Sequence, residues 1–123
     1  LGRAIDLLAG LDGHDTGLIY VSDHGESLGE HNFYLHGLPY VIAPAEQTAV
    51  PMVMWLSPGL EGKTGVTKEC LAARAARPVS HDDLSHTLLG LLGVETVVYD
   101  RTHDLTTPCR RAPAARKGAG HSL

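Results

Sequence analysis

Asp23, His24 and Glu26 fall within four residues, in Ser22-Asp23-His24-Gly25-Glu26, directly behind the apolar run Leu18-Ile19-Tyr20-Val21. A carboxylate and an imidazole at the end of a buried strand are ligands of the kind that hold zinc or a similar divalent cation. In open α/β sheets the carboxyl ends of strands are where sites are assembled. Adjacent residues of a straight strand face opposite ways. At a strand end, where the chain turns, both can aim at one ion. Gly25 permits that turn, and Glu26 is placed to orient His24, as carboxylates do for metal-bound imidazoles. His36 follows beside Gly37. Together these residues read as part of a metal-dependent phosphoryl- or sulfuryl-transfer site.

Two other readings fit the same residues. An Asp-His-Gly triplet is also an ordinary polar turn that closes a strand. In addition, Gly25-Glu26-Ser27-Leu28-Gly29 matches the G-x-S-x-G elbow of serine hydrolases, with Ser27 as nucleophile and His86 or His103 downstream. An elbow serine needs a helix starting at once behind it. Here Gly29, Asn32 and Gly37 follow with no helical stripe, which argues against the elbow. On its residues alone, His36 is open between a site role and a surface role. His14, His31, His103 and His121 read as solvated, His86 as a packed or surface residue of a helix, and Trp55 as core.

The elements that must position these residues follow from periodicity. Residues 4–11 have helical apolar spacing, and Asp12-Gly13-His14-Asp15 is a turn cluster that ends the helix. Residues 16–22 form a short strand that is apolar on both faces, as buried parallel strands are. Residues 23–47 are rich in Gly, His, Asn and Pro without a sustained period, which marks a long functional loop. Residues 50–56 are a second buried strand, 59–66 a loop and 68–76 a short helix. Residues 80–92 carry the clearest helix signal. Ser80 and Asp83 suit a capping box, Leu84, Thr87, Leu88, Leu91 and Leu92 form a stripe, and Gly93 stops it. The order helix, strand, loop, strand, helix points to an α/β layered structure.

The chain has 123 residues, enough for one small domain or part of a larger one. Residues 1–109 hold six of the ten basic residues and all fourteen acidic ones, a net of −8. An acidic body fits a cation-binding site and argues against a nucleic-acid partner. Residues 110–123 are basic, with Arg110, Arg111, Arg116 and Lys117, and their Ala, Gly and Pro lack a period, so they read as a disordered tail. No apolar run approaches the roughly 20 residues of a membrane span. The first residue is Leu1 rather than Met, inside a helical pattern, so the chain is expected to be a piece of a longer protein. Cys70 and Cys109 are equally compatible with two free thiols or one disulfide from their count alone.

The run from Tyr20 to Glu30 (Tyr-Val-Ser-Asp-His-Gly-Glu-Ser-Leu-Gly-Glu) is followed by Tyr34-Leu35-His36-Gly37-Leu38-Pro39-Tyr40, Ala43-Pro44, Gln47 and Val50-Pro51-Met52. This long pattern closely resembles the lipid A phosphoethanolamine transferases of the alkaline phosphatase/sulfatase superfamily. Val79-Ser80-His81-Asp82-Asp83-Leu84-Ser85-His86-Thr87 and Val98-Tyr99-Asp100 extend the resemblance, which covers residues 4–109. It implies an alkaline-phosphatase-like, mainly parallel sheet flanked by helices, with this chain as an incomplete domain: residues 1–109 as the C-terminal portion of a periplasmic catalytic domain, then the basic tail. It implies a bacterial inner-membrane enzyme, anchored by helices outside this chain, that moves phosphoethanolamine from phosphatidylethanolamine to lipid A through a zinc-bound threonine. Asp23 and His24 inherit the role of zinc ligands, and His36 that of assisting at the phosphoryl group or a second metal.

The departures from the family pattern set further expectations. The nucleophilic threonine, the first carboxylate ligand and another site histidine belong upstream of the residues present, so this chain alone is expected to be inactive and to expose apolar surface. His31-Asn32 stands where Asn-Gly is more usual, and the basic tail has no counterpart. A sulfatase, a phosphoglycerol transferase or a non-catalytic remnant of the same superfamily are the alternatives. The periplasmic setting that the resemblance implies turns the two cysteines into an expected disulfide.

Overall fold

The computed structural model describes residues 1–110, which divide into two units, one spanning Leu1–Lys63 and the other starting at Thr64. The expected disorder of the basic tail falls on residues that, from 111 onward, lie outside the described ones.

In the first unit, helix α1 (Gly2–Ala9) leads to strand β1 (Gly17–Val21), and a long connection returns to strand β4 (Met52–Leu56). The α/β class holds. The pairing of these two strands differs from the parallel arrangement expected. They run antiparallel, with Gly17 opposite Leu56, Ile19 opposite Met54 and Val21 opposite Met52. The reason lies in the connection. A parallel return needs a crossover that carries the chain back along the sheet, usually a helix. Residues 22–51 hold only a two-residue pair, β2 (Ser27–Leu28) with β3 (Tyr34–Leu35), a 3-10 turn at Glu30–Asn32 and the four-residue helix α2 (Ala45–Thr48).

The strands are also less buried than their apolar runs suggest. Leu56 is the buried apolar side chain of this pair, Trp55 is half-buried and Tyr20 is 41% exposed. A two-stranded ribbon covers neither of its faces by itself. Exposed apolar side chains are correspondingly abundant, from Leu7 in α1 to Tyr40, Val41 and Ile42 in the connection.

Residues expected as a loop form helix α3 (Pro58–Thr64). Its two glycines hid a good start. Pro58 sits at the first helical position, where its missing N–H costs nothing. The Ser57 hydroxyl accepts the Leu60 N–H at 3.3 Å, as a cap does. Ser57 is also bound to the start of β1: its N–H donates to the Thr16 carbonyl at 2.8 Å and its hydroxyl accepts the Thr16 N–H at 3.0 Å.

The second unit contains α4 (Lys68–Arg74), α5 (Asp82–Leu91) and a 3-10 turn at Thr107–Cys109. Thr67 caps α4 by accepting the Cys70 N–H. Cys70 and Cys109 are joined by a disulfide, as the resemblance led us to expect. The capping box of α5 is present one residue outside the regular helix. The Ser80 N–H donates to Asp83 Oδ2 at 2.9 Å, and the Ser80 hydroxyl accepts the Asp82 N–H at 3.1 Å.

Gly93 ends α5 at φ +65°. The Gly93 N–H bonds to the Gly90 carbonyl and the Val94 N–H to the Leu89 carbonyl, a Schellman pair. The buried face of α5 takes part of the expected stripe, with Leu84 and Leu91 half-buried beside Thr87. Thr87 and Gly90 are buried, whereas Leu88 and Leu92 are exposed. A polar segment claims that face: the Thr87 hydroxyl accepts the Leu105 N–H at 3.0 Å, and a Cβ on Gly90 would lie 2.0 Å from Asp104 Oδ2.

Candidate metal centre

The connection between β1 and β4 brings His24, Glu26 and His36 together, with one potential ligand atom from each lying within 4.8 Å of the others. All three are exposed. Register explains the meeting. Ser27 pairs with Leu35 across β2 and β3, so the preceding Glu26 and the following His36 become neighbours. The hairpin between them is tight. Gly29, His31 and Asn32 all take positive φ, and Leu28 N–H donates to Glu30 Oε2 at 2.7 Å. Hydrogen bonds from the Glu30 and Leu28 N–H groups hold the Glu30 carboxyl below its usual range. In the loop from residue 29 to 33, His31 at φ +54° and Asn32 at φ +61° are residue types that tolerate φ > 0, while Leu35 at φ +67° is the unusual occupant. Leu35 immediately precedes His36, so the strained backbone abuts a site residue.

The proton positions of the two imidazoles follow from their partners. His24 Nδ1 lies 2.9 Å from the Gly25 carbonyl oxygen, which can only accept, so Nδ1 carries the proton. His36 Nδ1 lies 3.1 Å from Glu26 Oε2, and an ionised carboxylate likewise only accepts. Each ring therefore leaves its Nε2 lone pair uncommitted. The rings stack with centroids 3.9 Å apart and planes 29° apart. An imidazole that donates one N–H to a carbonyl or carboxylate and presents the other nitrogen is the arrangement of a metal-ligating histidine. The donor set, two imidazoles and a carboxylate, suits zinc.

Two of the predicted residues take places that spacing did not show. Glu26 holds His36 rather than His24, because the hairpin sets it across from His36; the Gly25 carbonyl orients His24 instead. Asp23 stands outside the three-residue group. Its Oδ1 accepts the His24 N–H at 3.0 Å, its Oδ2 lies 4.0 Å from His24 Nε2, and its side chain is 90% exposed.

Ser27 is 1% exposed and its hydroxyl accepts from Gln47 Nε2 at 2.9 Å. A two-residue strand and a 3-10 turn follow it, not a helix. Ser27 is thus a buried structural hydroxyl, and the elbow reading fails on both counts. Gly25 is required by a close approach: a Cβ there would lie 1.9 Å from the Glu46 carbonyl oxygen. Gln47, in α2, stood in the sequence only as one matching position of a long pattern. Nothing in its own neighbourhood marks it, since its partners are distant along the chain.

The second unit holds another titratable cluster. His103 Nδ1 lies 2.8 Å from Asp83 Oδ1, and His86 Nδ1 accepts the Asp100 N–H at 3.0 Å. The hydrogen bond to Asp83, joined by the charges of Asp83, Asp100 and Asp82, raises the His103 pKa. Burial pushes the Asp83 carboxyl up, but the Ser80 N–H and His103 outweigh it, and the net shift is downward. His103 is exposed and His86 half-buried on α5, as expected, and each has a hydrogen-bond partner besides.

Deeper in the same unit, Asp104 is buried. It accepts from the Tyr99 hydroxyl at 2.6 Å, from the Thr106 N–H and hydroxyl at 2.8 and 2.6 Å, and from Arg110 at 3.0 Å. Burial works against the ionised form there as well, and these donors reverse it, holding the Asp104 carboxyl below its usual range.

With this geometry in hand, comparison with known proteins places the fold. The chain belongs to the sulfatase family, whose model matches residues 1–94. Within that family its likeness is to phosphoethanolamine transferases. It is 50% identical over 111 residues to phosphoethanolamine transferase EptA of Salmonella typhimurium, a match covering 89% of this chain and 20% of that protein. It is 38% identical over 80 residues to the Kdo(2)-lipid A phosphoethanolamine 7''-transferase of Escherichia coli, covering 62% of this chain and 14% of that one.

Among solved structures, it superposes on the soluble domain of lipooligosaccharide phosphoethanolamine transferase A from Neisseria meningitidis with a TM-score of 0.84 at 41% identity, covering 90% of this chain and 34% of that one. The integral membrane form of that Neisseria protein matches at the same TM-score of 0.84, with 21% of it covered. The chain therefore spans about a fifth of the length of such relatives, as the 20% share for the Salmonella protein records. Among the described residues, no helix is long and apolar enough to cross a membrane.

Proposed function

We propose that this chain forms part of a zinc-dependent phosphoethanolamine transferase of the bacterial inner membrane, facing the periplasm. The donor in this reading is phosphatidylethanolamine, the acceptor is lipid A, and phosphoethanolamine is carried between them on a threonine outside this chain. The observation that carries the proposal is the paired disposition of His24 and His36, each with Nδ1–H anchored and Nε2 free, in a chain 50% identical to a phosphoethanolamine transferase. In this reading Asp23 and His24 hold zinc. Bound zinc would lower the pKa of the nucleophilic hydroxyl and offset phosphoryl charge.

The residues of this chain have separable tasks. Gly25, through its carbonyl, fixes the His24 tautomer. Glu26 fixes that of His36, so that the His36 Nε2 lone pair is offered to a second metal. A His36 that carries a proton on Nε2 as well would instead donate a hydrogen bond to a phosphoryl oxygen. The sulfatase description of the matched family favours sulfate-ester hydrolysis as the second reading.

The test uses the full-length protein and its Asp23→Ala, His24→Ala and His36→Ala variants. Zinc content is measured by mass spectrometry, and transfer by the mass gain of lipid A supplied with phosphatidylethanolamine. Loss of zinc and of transfer in the Asp23 and His24 variants is the expected result. His36→Ala should keep one zinc and lose transfer. Full zinc occupancy and full transfer in the Asp23 and His24 variants would overturn the assignment. Sulfate release from an aryl sulfate without any lipid A modification would select the second reading.

A further inference from the structure

We infer that Gln47 is the positioning residue of the metal centre, one side chain and its backbone setting the geometry of the three stretches that carry His24, Glu26 and His36. The inference rests on the zinc reading above and adds a residue to it. Gln47 is 6% exposed and lies in α2. Its backbone carbonyl accepts the Gly25 N–H at 3.0 Å. Gly25 is the residue whose own carbonyl holds His24 Nδ1. Its side-chain Nε2 donates to Ser27 Oγ at 2.9 Å, next to Glu26. Its Oε1 accepts the Leu38 N–H at 3.4 Å, two residues beyond His36. His24, Glu26 and His36 are thus each within two residues of a bond to Gln47.

The chemistry of an amide explains why this residue type serves. The Leu38 N–H can only donate, so the amide oxygen must face it, and that leaves the amide nitrogen for Ser27. A primary amide offers a donor and an acceptor in one rigid plane without charge. A leucine offers neither. The three site residues are themselves exposed; the β2–β3 register sets Glu26 beside His36, and the buried Gln47 ties that pair of strands to the turn that carries His24. Groups that orient metal ligands typically contribute about 10- to 100-fold to metal affinity.

The experiment compares the full-length protein with Gln47→Leu, Ser27→Ala and His24→Ala, loaded with Co2+ in place of zinc. Visible absorption reports the ligand geometry, chelator competition the metal affinity, and circular dichroism the fold. Gln47→Leu should shift the Co2+ absorption and weaken metal binding about 10-fold or more. Ser27→Ala, which removes one of the two side-chain partners, should shift it in the same sense and weaken binding less. A merely structural role would lower the melting temperature and leave the Co2+ spectrum unchanged, and that result in Gln47→Leu would overturn the inference.

Should Gln47→Leu fail to fold, Ser27→Ala decides in its place: a wild-type spectrum and affinity would overturn the inference. His24→Ala is the reference arm. Metal lost there but held normally by Gln47→Leu sinks the positioning role alone. Metal retained by His24→Ala sinks the zinc reading and this inference together.

Discussion

The two polar clusters are made from the same residue types, and they differ in what their lone pairs are given to. Around β2 and β3, His24 and His36 each donate Nδ1–H to a local acceptor and keep Nε2 free, and the three residues of the group, Glu26 included, are exposed. Beside α5 the bonds run the other way for His86. Its Nδ1 accepts the Asp100 N–H, so its proton sits on Nε2, which then has no lone pair for a metal. Asp104, buried, accepts from Tyr99, Thr106 and Arg110. A site meant to take a ligand leaves acceptors unused, and a site meant to hold structure uses them up. The contrast rests on His86 and Asp104, since His103, with Nδ1 2.8 Å from Asp83 Oδ1, is arranged as His36 is against Glu26.

The sharpest way to break this contrast is Asp104→Ala. It leaves Arg110, the Tyr99 hydroxyl and the Thr106 hydroxyl without their common acceptor. Arg110 is 28% exposed, so the pair is part-buried, and losing its charge-assisted hydrogen bonds costs about 1.5–3 kcal/mol. The urea midpoint of the full-length protein should fall accordingly, while zinc content in the folded fraction stays at the wild-type level. Zinc lost along with stability would mean that the two clusters are one functional unit.

Gly25→Ala should do the reverse. A Cβ 1.9 Å from the Glu46 carbonyl oxygen forces the backbone to move, at a cost of about 1–3 kcal/mol. The displaced residue is the one that orients His24, so zinc affinity should fall by more than the loss of stability accounts for. Chelator competition and a melting curve on the same sample measure both. Unaltered zinc affinity would show that the Gly25 carbonyl does not set the His24 ring.

The smallest expected effect is a pH dependence from His103. Its pKa is raised in the folded state, mainly by the bond to Asp83. A raised histidine pKa contributes stability that is fully present below the unfolded value, about 6.5, and lost as pH rises through the folded one. Asp83, shifted down, stays ionised throughout that range. The melting temperature of His103→Gln should therefore lie below wild type by more at about pH 5.5 than at about pH 8. A gap that widened with pH would contradict the pairing.

Local signals in the sequence carried a good deal of this. Apolar runs locate β1 and β4, the Ser80 and Asp83 pair and Gly93 bound α5, and Asp23, His24 and His36 stand out by residue type and context. Each of these is readable because its cause lies within a few residues: side-chain period, a cap three positions away, a glycine at positive φ. The disulfide and the roles of the site residues needed the resemblance, since spacing alone allowed other answers.

What only the tertiary structure decided lies in bonds that close over long stretches of chain. The antiparallel return of β4 onto β1 depends on how the intervening connection folds, not on the composition of either strand. Glu26 turned to His36, 10 residues on, because the β2–β3 register put them side by side. Gln47 reached back 20 residues to Ser27, and Thr87 forward 18 to the Leu105 N–H, which made a hydrogen-bonded threonine the most buried side chain of α5. A buried polar group must find a partner wherever the fold provides one. The sequence names the donors and acceptors, and the closure of the chain chooses among them.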